Sequence, residues 1–463
     1  MQYAYKHIMI GAMLTLCSCA KFEDVGLPKN EITGTQVFSN DQSALSGLSG
    51  LYANMMKDNN SFINGNLTLF PGLLADELHR TYRSETYDAF ENNALNSNND
   101  IIGSMWSNAY SYIYQCNALL EGLHQSDNVS LSTKNQITGE VAVVRAWIYF
   151  YLQALYGDVP LVVSTDYNVN SKSGSSSQAD ILSQVEADLI YASKTLPEAY
   201  PVTAAFPTER IRPNKFAAVA LLARIYLYER RYAEAAEEAS LVINSNQYVL
   251  SDDLDEVFSA QSQEAIWQLY PVNPYTNTSD GNNFVPFDFF DPPIFQLPTH
   301  LVQSFEDNDK RKEFWTKSIV VSNQSYTIPY KYKIGFKSPA DPPTEFLTLI
   351  RLAEMYLIRA ESNAMTNNPN GARQDLNLVR NRAGLADITT NEAAALAIAI
   401  QHERQVELFV EFGQRWLDLK RTKTATTILA QYKGANWQPT DTLLPIPLYE
   451  LKSNPSLHQN PGY

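Results

Sequence analysis

The stretch PNKFAAVALLARIYLYERRYAEAAEEASLVIN (residues 213–244) reads as two helices joined by a tight turn. Pro213 suits a first helical position, and Ala217, Ala220, Leu221, Arg224 and Tyr228 recur at helical spacing up to a break near Arg231. A second helix, about 233–244, folds back after the break. Small residues at Ala217, Ala220 and Ala223 let two helix backbones approach closely. The same design recurs at 348–365 followed by 372–382. Working outward, apolar residues three and four apart predict a helix over 41–56, carrying Ala44, Leu45, Leu48, Leu51, Tyr52 and Met55 behind a Ser39 cap. In the helix predicted over 106–123, Trp106, Tyr110, Ile113, Asn117 and Leu120 share one stripe. A third helix opens at Ser132 and runs to Leu155, stopped by Gly157 and Pro160, and a fourth covers about 179–196.

A helical hairpin is the unit of a tetratricopeptide array, although an ordinary bundle uses it too. From about 252 to 344 the helical rhythm fails. Pro271, Pro274, Pro286, Pro292, Pro293, Pro298 and Pro329 among many Asn and Gly predict long ordered loops, with short strands at 265–270, 318–321 and 325–332. Loops of that length in a compact protein carry function or are disordered, and the ring content here argues for order. The segment HERQVELFVEFGQRWLDLKR (402–421) reads as one structural helix, with Glu411 and Arg415 a turn apart. Any arginine drawn inward beside it needs carboxylate partners, a use for Glu403, Glu407 and Asp418.

The N-terminal end carries an address. Lys6 and His7 precede an apolar run, Ile8 to Leu16, too short to span a bilayer, and Leu16-Cys17-Ser18-Cys19 is a lipobox. Residues 1–18 thus read as a lipoprotein signal peptide, with the mature chain, 19–463, beginning at a Cys19 lipidated on sulfur. The lipid is then the only membrane anchor. Cys116 is left without a disulfide partner, in the apolar pattern of a helix, and reads as an inert buried thiol. The net charge of −15 becomes −16 without the leader, which argues against nucleic acid as a partner.

Catalytic signals are missing. No GxSxG, Walker A or dinucleotide glycine pattern occurs, and His402-Glu403 lacks the second histidine of a zinc protease. Six histidines without a His/Cys cluster predict no transition metal, and no cofactor is expected. The acidic clusters Asp252, Asp253, Asp255, Glu256 and Asp307, Asp309 lack EF-hand spacing and read as solvated charge. The pattern predicts a protein that is not an enzyme.

Several segments, in order, resemble one family. WSNAYSYIYQCNALLEGL (106–123), VAVVRAWIYFYLQALYGDVPLV (141–162), RLAEMYLIRAE (351–361), ARQDLNLVRNRAGL (372–385) and the tail LLPIPLYELKSNPSLHQNPGY (443–463) are similar to the SusD/RagB nutrient-uptake lipoproteins. The resemblance implies an all-α fold of tetratricopeptide-like helix pairs in a superhelical body, with a loop-rich region (about 252–344) carrying a few short strands. It also implies a lipoprotein of the outer membrane, facing the exterior, that binds a nutrient and closes as a lid over a SusC-like TonB-dependent barrel. The charged Ala20 to Asp24 resembles the surface-export segment of such lipoproteins. Three ligand readings stand: oligosaccharide, peptide under the same lid role, or a surface glycoside hydrolase.

Two ring-rich loops are the expected binding regions. The first offers Asp76, Glu77, Tyr82, Arg83, Tyr87 and Phe90; the second offers Tyr270, Tyr275, Asn283, Phe284, Phe287, Phe289 and Phe290. Rings would stack on sugar faces or apolar side chains, while Asp76, Arg83 and Asn283 would orient the ligand through hydrogen bonds.

Overall fold

The computed structural model describes residues 34–202, 209–288 and 290–463. The leader, Cys19 and Phe289 lie outside the described residues. The body is helical: α1 (Asp41–Met56), α2 (Asn66–Leu74), α3 (Glu85–Glu91), α4 (Asp100–Gln125), α5 (Leu131–Tyr156), α6 (Gln178–Thr195), α7 (Lys215–Tyr228), α8 (Tyr232–Asn244), α9 (Ser279–Phe284), α10 (Leu352–Met365), α11 (Pro369–Arg382), α12 (Ala393–Glu407), α13 (Gln414–Arg421) and α14 (Ala425–Lys433). From α4 to α8 each helix packs on the next, α8 packs on α10, and α10 leads through α11 to α12. This is the stacked-hairpin order expected of a tetratricopeptide-like body.

Caps fall close to their expected places. Asn40, not Ser39, caps α1: its Oδ1 accepts the Ser43 N–H at 2.9 Å while Ser43 Oγ accepts the Asn40 N–H at 3.3 Å. Ser130 rather than Ser132 opens α5, and Asn214 caps α7, so Pro213 stands just outside that helix. Helices α5 and α7 are buried on every side over Val141–Tyr156 and Phe216–Leu227. The arginines on them are therefore paired. Arg145 forks onto Asp188 at 2.7 and 2.8 Å and donates to Asn117 Oδ1 at 2.8 Å, which accounts for an asparagine in an apolar stripe. Arg224 joins α7 to α10 through Glu354 at 2.6 and 2.7 Å, its guanidinium 4.8 Å from the Trp147 ring. Cys116 is fully buried, and burial pushes its thiol up to about 12.

Among the described residues, strands of the loop-rich region and its partners form three two-stranded antiparallel ladders: β1 (His79–Arg80) with β3 (Phe295–Gln296), β2 (Ala265–Leu269) with β6 (Leu347–Arg351), and β4 (Thr316–Val321) with β5 (Gln324–Pro329). Thr348 to Arg351, expected as the start of a helix, is strand instead. Ladder pairing with β2 buries its whole length, and α10 begins only at Leu352.

The segment 402–421 is also corrected: it is two helices, not one. Helix α12 ends at Glu407, whose backbone carbonyl accepts bonds from Lys331 Nζ at 2.8 Å and Arg351 Nη2 at 2.9 Å. Cations on the last carbonyls end the helix, as at any C-terminus. The following turn places Val410, Phe412 and Gly413 at φ 52°, 45° and 63°. Phe412 enters the core beside Trp147, ring centroids 5.4 Å apart. Glu411 consequently binds Arg351 and Lys331 instead of Arg415.

The carboxylates meant for inward arginines find them. Glu403 accepts from Arg311 and Arg380, Glu407 from Arg311, Arg351 and Arg382, and Asp418 from Arg404 and Arg421. Burial alone would raise the Glu407 carboxyl, but Arg382, Arg351 and Arg311 outweigh it and hold it well below the usual range. Asp309, expected as solvated charge, is buried against Arg311 at 2.8 Å.

Candidate functional site

The β1–β3 ladder pairs His79 with Gln296 and Arg80 with Phe295, and the Thr81 N–H continues it to Ile294 O at 3.0 Å. The two ring-rich loops are thereby neighbours. Their residues then separate by burial. Phe90 is fully buried, 4.3 Å from the Phe70 ring, and Phe295 stands between Tyr87 at 4.9 Å and Phe284 at 6.2 Å. These rings fasten the loops to each other and to α2. Asp76 is buried under Arg415, which forks onto it at 2.8 Å twice, and Glu77 is buried with it. Tyr270 packs edge-on against Phe346 at 5.2 Å.

The exposed members are Tyr82, Arg83, Tyr275, Phe287 and Phe290. Tyr275 stacks on Phe336 at 5.9 Å with 16° between planes, and Phe287 meets the same ring edge-on at 5.4 Å. Phe336 and Tyr275 are each 50% exposed and Phe287 81%, so the three form a ring platform open to solvent. Sequence reasoning missed Phe336; its signal is a ring after Gly335 in the same helix-free region.

The platform is pinned from below. A Cβ on Gly335 would stand 2.2 Å from Val285 O, and one on Gly281 2.3 Å from Ile334 O, so only glycine lets these two chain segments meet. The turn after α1 meets them from the side. Asn283 Nδ2 donates to Asn60 Oδ1 at 2.7 Å, and Thr276 Oγ1 donates to Asn59 Oδ1 at 3.2 Å. Asn59 and Asn60, also missed, are half-buried amides beside the platform. Arg83 is exposed on the β1–α3 turn, and its guanidinium makes no hydrogen bond among the described residues, unlike Arg80, which pairs with Asp88 and Glu91.

A separate cleft of about 220 Å³ lies between Asp76, His79, His300, Tyr432 and Lys433. Its polar groups hold one another: His300 Nε2 meets Asp76 O at 2.9 Å, and Lys433 Nζ donates to Leu73 O and Glu91 O at 2.6 and 2.7 Å. Among the described residues no His, Cys, Asp and Glu group is arranged to hold a metal ion, and no helix is long and apolar enough to cross a membrane.

What the fold and platform define is a helical protein with a loop-borne aromatic platform. Residues 343–463 match the SusD family model, and residues 40–227 match a model described as starch-binding, associating with the outer membrane. The SusD-like protein P2 of Formosa agariphila is 25% identical, over 99% of each chain. A solved SusD superfamily protein from Bacteroides vulgatus superposes with a TM-score of 0.80 at 21% identity, over 92% of this chain and 100% of the other. A laminarin-binding SusD-like protein superposes with a TM-score of 0.75 at 23% identity, over 92% and 100%. The chain belongs to the SusD family.

Proposed function

We propose that this protein is a lipid-anchored outer-membrane lipoprotein, signal peptide 1–18 and mature domain 19–463, that captures oligosaccharide at the exterior. The observation that carries the ligand reading is the platform of Tyr275, Phe287 and Phe336. Three rings facing water, where no core needs them, match the flat apolar faces of sugar rings. Asn59 and Asn60 beside the platform supply donors for hydroxyls, and Tyr82 and Arg83 stand exposed on the loop that the β1–β3 ladder joins to it. The starch-binding description of the family model and the laminarin-binding neighbour support a glycan over a peptide.

The same reading makes the protein the lid of a SusC-like TonB-dependent barrel. Supporting it are the resemblance of the ordered motifs and the lipobox at Cys19, which would hold the chain beside such a barrel.

Calorimetry with laminarin and starch oligosaccharides, and with peptides as a second arm, tests the ligand reading. Tyr275→Ala, Phe287→Ala and Phe336→Ala should each weaken glycan binding by about tenfold or more. Parental affinity in all three, or binding confined to peptides, rejects it.

A further inference from the structure

The 408–413 turn touches both loops that carry the platform. From the first loop, Asp76 takes the Arg415 fork, and Glu77 packs toward the Val410 amide. From the second, Asp280 lies in α9, which leads into Phe287. Its Oδ2 accepts the Thr68 hydroxyl at 3.1 Å, and that same Thr68 oxygen accepts the Phe412 N–H at 3.3 Å. The turn is itself in tension: Val410 is β-branched at φ 52°, a region that such residues avoid. Two loops and a strained turn therefore meet in one buried seam.

The carboxyls in that seam lack the partners that charge requires. Apart from the Val410 amide near Glu77, neither Glu77 oxygen has a hydrogen-bond partner, and Asp280 Oδ1 has none, while the two residues are 1% and 3% exposed. No cation forks onto either one, in contrast to Asp76 beside them. A small void of about 10 Å³ lined by Asp280, Lys331, Tyr332 and Val410 adds room for no more than one water. Buried without compensation, an ionised carboxylate is costly, and the neutral acid is favoured.

Burial, then Asp76, pushes Glu77 up to about 8, against the pull of Arg415, the Val410 amide and Lys331. Burial pushes Asp280 up to about 7, Thr68 opposing and Glu411 adding to the rise. Lys331 and Glu411 pair with each other and with the Arg351 network, Tyr332 lies beside Asp280, and His300 faces Asp76.

We propose that Glu77 and Asp280 are positioning residues that clamp both site loops onto the 408–413 turn only while protonated, so that the loops open as pH rises. The proposal concerns the loops whatever they bind, so it stands or falls separately from the glycan reading. The sign follows from proton counting. The closed form keeps a proton that an open, hydrated carboxyl releases in its ordinary range, near 4.5 for Glu and 3.8 for Asp. Between that range and about 7 to 8 each group shifts the balance toward opening, by up to about tenfold per pH unit, and above it the shift levels off.

Hydrogen exchange of the ligand-free mature chain from about pH 5.5 to 9, corrected for the intrinsic pH dependence of exchange, is the test. Segments 76–91 and 275–288 should open progressively to near pH 8 while α5 stays protected. Glu77→Gln with Asp280→Asn, which keep the shape and remove the titration, should flatten the profile. Thr68→Val removes the hydroxyl bridge and with it the bond that opposes the rise of Asp280, so it should loosen the second loop already at pH 5.5 and carry that loop's slope to higher pH. A flat profile in the parent overturns the proposal whatever the variants do. So does a slope that survives in the double variant, or one shared equally by the whole chain.

Discussion

Arg224 and Cys116 show how far single residues are explained by where they lie. Arg224 and Glu354 are buried at 4% and 2% exposure, so removing one strands the other's charge. Arg224→Leu is expected to cost about 3–5 kcal/mol in urea unfolding, and Arg224→Leu with Glu354→Leu to recover part of it. An equal loss in single and double variants contradicts this account. Cys116, buried with its thiol pushed up to about 12, should ignore a thiol reagent in the folded chain and react fully in denaturant. The site residues divide in the same way. Tyr275 and Phe287 stand among Pro and Asn with no helix to bury them, but nothing in the sequence separates them from Phe90 and Phe284, which pack inward. The burial of Asp76 was not legible either, because it is set by an arginine 339 positions away.

Among the elements, periodicity showed the hairpins of α7 with α8 and α10 with α11 because each buries a helical stripe against its own neighbour. It failed where a remote partner overrides local pattern. Residues 402–421 carry a helical pattern throughout, yet Lys331 and Arg351 take the Glu407 carbonyl and end the helix there. Thr348 to Arg351 likewise yields to a partner strand some 80 residues away. The platform rests on such a long-range contact. Gly335→Ala should push the chain off Val285, weaken glycan binding by about tenfold, and leave helical circular dichroism unchanged. Undiminished binding in Gly335→Ala removes the pinning role.

For the whole molecule, the arginine–carboxylate seam sets the acid limit. Glu407, Glu411 and Asp418 would be raised by burial but are held low by their arginines, with Lys331 also acting on Glu411. Groups with depressed folded values stabilise above their unfolded values, and that stability is lost as pH falls through the folded ones. Cooperative unfolding is therefore expected below about pH 4, followed by fluorescence of the buried tryptophans, and resistance to pH 2 would contradict it. Cys19→Ala should release the protein from membranes and abolish its labelling by fatty acid. Mild-detergent capture of the parent should bring down a SusC-like barrel, and recovery of the protein alone counts against the lid.

The ring platform has a colloidal consequence. Phe287, Phe336 and Tyr275 offer apolar surface to any second copy, while a net charge of −15 keeps copies apart. Salt shortens the reach of that repulsion to about 8 Å at physiological strength and leaves the rings untouched. Concentrated solutions of the ligand-free protein should thus turn from repulsive to attractive as salt is added, read as a change of sign in the second virial coefficient by light scattering. Phe287→Ser should keep them repulsive. On the proposed membrane anchor, charge would oppose contact between empty copies, and a bound glycan would cover the rings that draw copies together.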